Sequence, residues 1–453
     1  MHDTNNASLN GAVAHTAGPT GNPDALLSRE LGTRQLAATI FNYTVGSGIF
    51  VLPAFAVLQL GSAAPLAYLA CAIIIGLVVM CFAEAGSRVS ATGGPYAYVE
   101  TALGPMWGFV AGCLVVATGM SAAGAVSSVL ARSILTLVPD ASIWMNRVLI
   151  LVLVSTLVGI NYRGVKTGAR VIEIVTVAKL LPLLAFVFIG MFFIEPSNLV
   201  WTSVPDAGAV LGTAGIVIFA FSGIEGSLIP SGEVKNPSKT VPRAAFLALG
   251  AATLLYLAIQ FVALGILGSA LADDRTTPLA SAASAVAGST GRTILVVGAV
   301  ISMFGYLSAN VLSEPRGLFA MSRDHFLPRV LSSVHPSFHT PHKAIVIYGV
   351  MVACIALSGT FETLTIFANL SALMLYFLCA VAAYVLRQKD VRTDGEPFLA
   401  PGGPLVPIVT CLSLAWLFYE TVSRDQFIAL LIVLLVVFTL YGMRALRLKS
   451  KRA

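Results

Sequence analysis

Residues 42–50 read Asn42-Tyr43-Thr44-Val45-Gly46-Ser47-Gly48-Ile49-Phe50, with Pro53 just beyond, inside an apolar run that covers 36–60. Glycine in a helix interior costs about 1 kcal/mol relative to alanine, so two of them around a serine predict an interruption. A second stretch has the same character. It reads Phe219-Ala220-Phe221-Ser222-Gly223-Ile224-Glu225-Gly226, followed by Pro230, inside the run 208–230.

The rest of the chain says what these interruptions are set in. Of 453 residues, 57% are apolar and only 11% are charged, against roughly 25% charged in soluble domains. That balance excludes a soluble enzyme, a nucleic-acid-binding protein and a disordered chain. Apolar runs lie near 36–60, 65–86, 104–131, 143–162, 171–194, 208–230, 242–268, 291–313, 344–359, 362–386, 403–421 and 426–446. They exceed strand length, and backbone crossing a bilayer must satisfy its own hydrogen bonds, so the runs predict helices. The expectation is an all-α membrane protein of twelve transmembrane helices. Residues 34–446 are expected to form one transmembrane domain, between a disordered tail over 1–33 and a basic tail over 447–453, where anionic lipid is the partner.

An even number of spans puts both termini on one side. Of the 27 Lys and Arg residues, 21 fall in the loops and tails of that side and five opposite it (Arg132, Arg147, Arg275, Arg292, Arg424). The positive-inside rule then makes both termini cytoplasmic, in the plasma (inner) membrane. One basic residue fits neither side: Lys179, about nine residues into the fifth run and roughly 14 Å deep at 1.5 Å per residue. The six cysteines all lie in apolar runs, so no disulfide is expected. His335, His339 and His342 share a proline-broken loop and lack the other ligands of a metal site, so no metal or other cofactor is expected.

The two interruptions lie five helices apart, in helices 1 and 6 of opposite orientation. Matched breaks of this kind point to an inverted-repeat transporter. Where helix 1 restarts, the amides around Gly46, Ser47, Gly48 and Ile49 lack intrahelical acceptors, carry the positive dipole end and can hold a carboxylate. Where helix 6 stops, the carbonyls near Phe219, Ala220 and Phe221 can hold an ammonium, with Ser222 and Ile224 beside them. The pair suits an α-amino acid zwitterion. The competing view is that the glycines serve only close helix packing.

At these residues the chain resembles the amino acid–polyamine–organocation (APC) superfamily of transporters. The shared motifs are Gly46-Ser47-Gly48-Ile49-Phe50, Gly93-Gly94-Pro95-Tyr96, Phe221-Ser222-Gly223-Ile224-Glu225 leading into Glu233-Val234-Lys235-Asn236-Pro237, and Ser322-Arg323-Asp324 ending in Leu327-Pro328. The resemblance implies a five-plus-five inverted-repeat core with broken helices 1 and 6, helices 11 and 12 outside it, and substrate at the two breaks. Ser222 stands where many members carry a larger apolar residue. No cysteine occurs in 132–143, where heteromeric members carry one, so a disulfide-linked heavy subunit is not expected.

Lys179 resembles a lysine that in some members replaces a bound sodium ion and bridges helix 1 to helix 8, with Ser308 as the helix 8 contact here. Its expected role is proton coupling; the alternatives are a permanently charged strut or a lysine that faces lipid and snorkels. Glu225 matches a carboxylate that senses protons or faces a basic substrate in antiporter members. Its structural alternative is a carboxylate stabilised by the restarting helix's dipole. No phosphate-binding loop of the GxxxxGK[ST] type occurs, which argues against an ATP-driven pump. No polar constellation of an enzyme is present, and paired breaks favour alternating access over a channel. The expected function is secondary active uptake of an amino acid with protons, a neutral one because Glu225 is the only clear carboxylate in the pocket. The alternative is an obligatory exchanger (antiporter) of basic amino acids or polyamines.

Overall fold

The computed structural model describes residues 31–135, 142–163, 165–201, 204–338, 340–393 and 395–450, with side chains not described at 164–173 and 445–450. The predicted N-terminal tail lies outside the described residues apart from 31–33, as do His339 and the side chain of Glu173.

The described residues are helical, with α1 Thr33–Thr44, α2 Gly48–Leu60, α3 Pro65–Arg88, α4 Pro95–Leu103, α5 Pro105–Leu135, α6 Ile143–Tyr162, α7 Val165–Gly190 and α8 Ala207–Phe221. Then come α9 Ile224–Ser227, α10 Pro237–Leu267, α11 Pro278–Arg323, α12 His342–Ser358, α13 Phe361–Gln388, α14 Leu405–Thr421 and α15 Arg424–Ser450. Among them are nine helices long and apolar enough to cross a membrane, ten if the bent pair α1–α2 counts as one. Two shorter apolar helices, α12 and α14, accompany them. The only β pairing among the described residues is an isolated bridge between Leu31 and Val234.

Local chemistry starts several of these helices. Asp206 caps α8, its Oδ2 accepting from the amides of Gly208 (2.8 Å) and Ala209 (3.2 Å). The Thr360 hydroxyl caps α13 at 3.2 Å from the Thr363 amide. Each satisfies amides that the helix itself leaves unpaired. α5 is rich in Gly, Ala and Ser and is buried along most of its length, packing against α11 and α13. α6 and α15 instead expose Leu, Ile, Val and Phe on most of their surface. Apolar side chains exposed in this way belong against lipid tails.

Two boundaries differ from those the sequence predicts. The run ending at 313 continues as α11 to Arg323, with Pro315 inside it. A helix-interior proline usually breaks the pattern, which is why Glu314-Pro315-Arg316 read as the start of a loop. At the chain end, α15 runs to Ser450, past the predicted end at 446.

The resemblance motifs outside the breaks meet at one end of the bundle. The Gly93 amide donates to the Ile229 carbonyl (2.8 Å), and the Tyr96 hydroxyl to Asp324 Oδ2 (2.9 Å). Arg316 pairs with Glu233 (3.3 Å). Glu84, at the end of α3, is 1% exposed, and its carboxylate is shared by Arg88 (3.2 Å), Arg387 (2.9 Å) and the Ala400 amide (3.2 Å). A buried carboxylate survives in a bundle because three donors replace its water.

Candidate substrate site at the two helix breaks

α1 and α2 meet at an angle of 47° across Val45-Gly46-Ser47. α1 closes with the Val45 amide on the Phe41 carbonyl (2.8 Å), and the Gly46 amide turns back to Thr44 (2.9 Å). α2 restarts at Gly48. The amides of Gly48 and Ile49 therefore precede the first acceptor that α2 can offer. α8 ends with the Ser222 amide on Ile218 (3.0 Å), and Gly223 takes φ +128° before the single turn of α9. A residue with a Cβ rarely adopts that φ.

The two breaks touch. A Cβ at Gly48 would lie 2.7 Å from the Cα of Ala220, and one at Gly223 would lie 2.9 Å from the carbonyl carbon of Tyr43. Backbone against backbone at this distance requires glycine on one side. Interruptions 175 residues apart in sequence are thus joined at one point.

Tyr256, on α10, binds both breaks together. Its hydroxyl lies 2.8 Å from the Thr44 carbonyl and 2.9 Å from that of Ala220, and its ring meets Phe221 edge-on at 5.0 Å. Nothing in the local sequence around Tyr256 signals this role. With one proton it can donate to one carbonyl at a time. The Thr44 and Ala220 carbonyls therefore share that donor.

Lys179 is fully buried, its Nζ donating to the carbonyls of Val45 (2.7 Å) and Asn42 (3.0 Å). These are the last carbonyls of α1, at the negative end of its dipole. Neighbours on the same helix, Ile174, Val177 and Leu181, point outward, so Lys179 faces the bundle and not the lipid. The α11 hydroxyl at the same place is that of Ser302, 2.9 Å from the Val45 carbonyl. Ser308 is buried without a hydrogen-bond partner among the described residues, and the Lys179 ammonium donates to the Asn42 and Val45 carbonyls instead. Helix geometry explains the substitution. Ser302, Tyr306, Asn310 and Glu314 recur every four residues and share a face, whereas Ser308 sits roughly 200° from Tyr306 at 100° per residue.

A small cavity lies beside the breaks, lined by Gly46, Ser47, Gly48, Phe219, Ser222 and Glu225 of the predicted site, with Tyr43, Thr118, Gly119, Tyr306 and Glu314 among the others. Ile49, Ala220, Phe221 and Ile224 are buried next to it without lining it. Its volume, counted as positions open to a water centre, is about 20 Å³. That suffices for roughly one water, so the cavity is contracted around its polar groups. Glu225 Oε2 accepts from the Gly223 amide (3.0 Å) and the Tyr376 hydroxyl (2.8 Å). One of its oxygens thus caps α9.

Glu314 is the residue that sequence reasoning missed. It is 1% exposed, lines the cavity, and its Oε2 has no hydrogen-bond partner among the described residues. The four-residue spacing from Tyr306 and Asn310 is the signal that could have found it. Among the described residues no group of His, Cys, Asp and Glu is arranged to hold a metal ion. His335 and His342 instead pack edge-on against the Tyr162 ring.

Comparison with known proteins places the chain among membrane transporters. The chain is 27% identical to the branched-chain amino acid permease BcaP of Bacillus subtilis, over 98% of each chain. It is 29% identical to the methylthioribose transporter of the same organism (92% of this chain, 94% of the relative). It is 28% identical to that organism's serine/threonine exchanger SteT (92% and 97%). The family model described as amino acid permease matches residues 31–444. A match over that length, in a chain whose described residues are helical with nine to ten helices apolar enough to cross a membrane, shows that the chain belongs to the amino acid permease family.

Proposed function

We propose that this protein is a secondary active transporter that moves amino acids across the plasma membrane by alternating access, coupled to protons. One observation carries the proposal: two broken helices abut at Gly48–Ala220 and Gly223–Tyr43, where α2 restarts on one side of the contact and α8 ends on the other. The amides of Ser47, Gly48 and Ile49 receive the substrate carboxylate, and the carbonyls of Phe219 and Phe221 receive its ammonium. The ten spans and the two shorter apolar helices together make twelve crossings, arranged as two inverted repeats of five plus two. Both termini face the cytoplasm, as the distribution of Lys and Arg favours.

Lys179 supplies the coupling. Its ammonium holds the Asn42 and Val45 carbonyls, so loss of its proton releases the end of α1 and with it the amides that bind substrate. The contracted cavity is far below the roughly 300 Å³ of a small-molecule pocket. Substrate entry therefore requires α1 or α9 to move, and both are tied through backbone contacts that a rocking motion can break.

A second reading, exchange of basic amino acids or polyamines, is favoured by Glu225 and by the added carboxylate of Glu314 in the same cavity. Uptake of a panel of labelled amino acids by proteoliposomes, with and without an imposed pH gradient, separates the two. Gradient-dependent accumulation supports symport. Uptake that requires an internal amino acid and ignores the gradient supports exchange, and absence of any amino acid flux rejects both.

A further inference from the structure

The contracted cavity presents an unusual balance of charge. Glu225 and Glu314 both line it, and none of its lining residues is Lys, Arg or His. The buried cation Lys179 lies outside the lining, engaged with the carbonyls at the end of α1. Among the described residues, three buried polar atoms of lining residues lack a partner: Ser47 Oγ, Thr118 Oγ1 and Glu314 Oε2. All three can accept a hydrogen bond.

Space around the Glu314 carboxylate is provided on purpose by two glycines on different helices. A Cβ at Gly119 of α5 would lie 2.5 Å from the carboxyl carbon, and one at Gly226 of α9 would lie 2.6 Å from Oε1. The side chain is held from below by its own helix. Asn310, one turn earlier, donates to the Gly119 carbonyl (3.2 Å) and accepts from the Tyr348 hydroxyl (2.8 Å), which fixes α11 against α5. Tyr43 and Tyr306 wall the same space, their rings edge-to-face at 5.7 Å. A carboxylate set between two glycines and two aromatic rings, with an oxygen that no protein group uses, has the form of a receptor for a donor that arrives with the ligand.

We propose that Glu314 is a specificity-determining residue that receives the cationic side chain of a basic amino acid, with Ser47 and Thr118 completing the donor shell and Glu225 adding negative potential. The proposal rests on the transport reading above and names its substrate class. The substrate's α-carboxylate stays on the α2 amides, and its side chain extends past the breaks toward α5 and α11. The aromatic walls of Tyr43 and Tyr306 suit an alkyl stem ending in an ammonium or guanidinium. The sequence-based preference for a neutral substrate assumed a single carboxylate in the pocket, and Glu314 removes that premise.

The test is counterflow of labelled lysine and labelled leucine in proteoliposomes of the full chain, at one pH and with no imposed gradient. In the unaltered protein lysine is expected to flow and to compete with unlabelled arginine and ornithine. In Glu314→Gln the KM for lysine is expected to rise at least tenfold while that for leucine changes less than threefold. Glu314→Asp, which keeps the charge on a shorter stem, is expected to recover part of the lysine affinity. Leucine counterflow in each variant reports that it is folded. Leucine flux without lysine flux in the unaltered protein overturns this inference and leaves the transport reading standing. Equal losses for both substrates in Glu314→Gln also overturn it. Flux of neither, nor of any other amino acid, sinks the transport reading as well.

Discussion

Lys179 and Glu314 are both ionisable groups inside the bundle, and they are treated in opposite ways. Lys179 has two carbonyl acceptors within 3.0 Å at the negative end of a helix. Glu314 has an oxygen with no partner, against a cavity. A buried charge is tolerable when its hydrogen bonds are replaced and costly when they are not. The lysine's lost water is replaced by carbonyls of the helix 1 break, whereas one glutamate oxygen has no such replacement among the described residues. Burial and charge alone do not separate a strut from a receptor, whereas the inventory of partners does.

Variants can break or sharpen this contrast. Lys179→Ala takes two charge-assisted hydrogen bonds from α1, each worth about 1.5–3 kcal/mol. Gradient-driven uptake is expected to fall by about 100-fold, measured as initial rates with an imposed pH gradient. If it survives intact, Lys179 is neither strut nor coupling group. Gly48→Ala puts a methyl 2.7 Å from the Ala220 Cα, where overpacking costs about 1–3 kcal/mol. Substrate KM is expected to rise by roughly 10-fold or more, and an unchanged KM would show that the breaks do not need to touch.

Tyr256→Phe keeps the ring and removes one hydrogen bond, worth about 1 kcal/mol. A change of about fivefold in KM is expected, and none would mean that the hydroxyl does not brace the site. Glu314→Gln sharpens the comparison through stability: replacing an unpartnered carboxylate with an amide is expected to raise the melting temperature in detergent by a few degrees, about 1 kcal/mol. A lowered melting temperature would show that the carboxylate is a structural member like Lys179. Smallest is the pair Ser302→Ala and Ser308→Ala. The first is expected to reduce uptake about threefold through the Val45 carbonyl, the second to leave it within error.

The positions of both breaks were legible because glycine, serine and proline leave the same mark in any apolar run. Lys179 was legible because a lone charge in such a run has few explanations. Ser308 was chosen by distance along a helix without its rotation, and the face carrying Ser302, Tyr306 and Asn310 lies on the other side. Glu314 was lost because Pro315 follows it, and a proline reads as a helix end. In α11 the helix passes through it to Arg323. Tyr256 left no local mark, since its partners are the Thr44 and Ala220 carbonyls on two other helices.

By itself the sequence determined that this chain lives in a membrane, that its backbone is helical there, and where two helices must break. Those properties depend on composition and on local backbone chemistry, which are carried residue by residue. Only the tertiary structure decided that Gly48 meets Ala220, that Tyr256 ties the breaks, and that Lys179 is satisfied while Glu314 is not. Each of these depends on which groups from distant segments arrive within about 3 Å, and hydrogen bonds fall off too steeply with distance and angle for spacing along a chain to predict them.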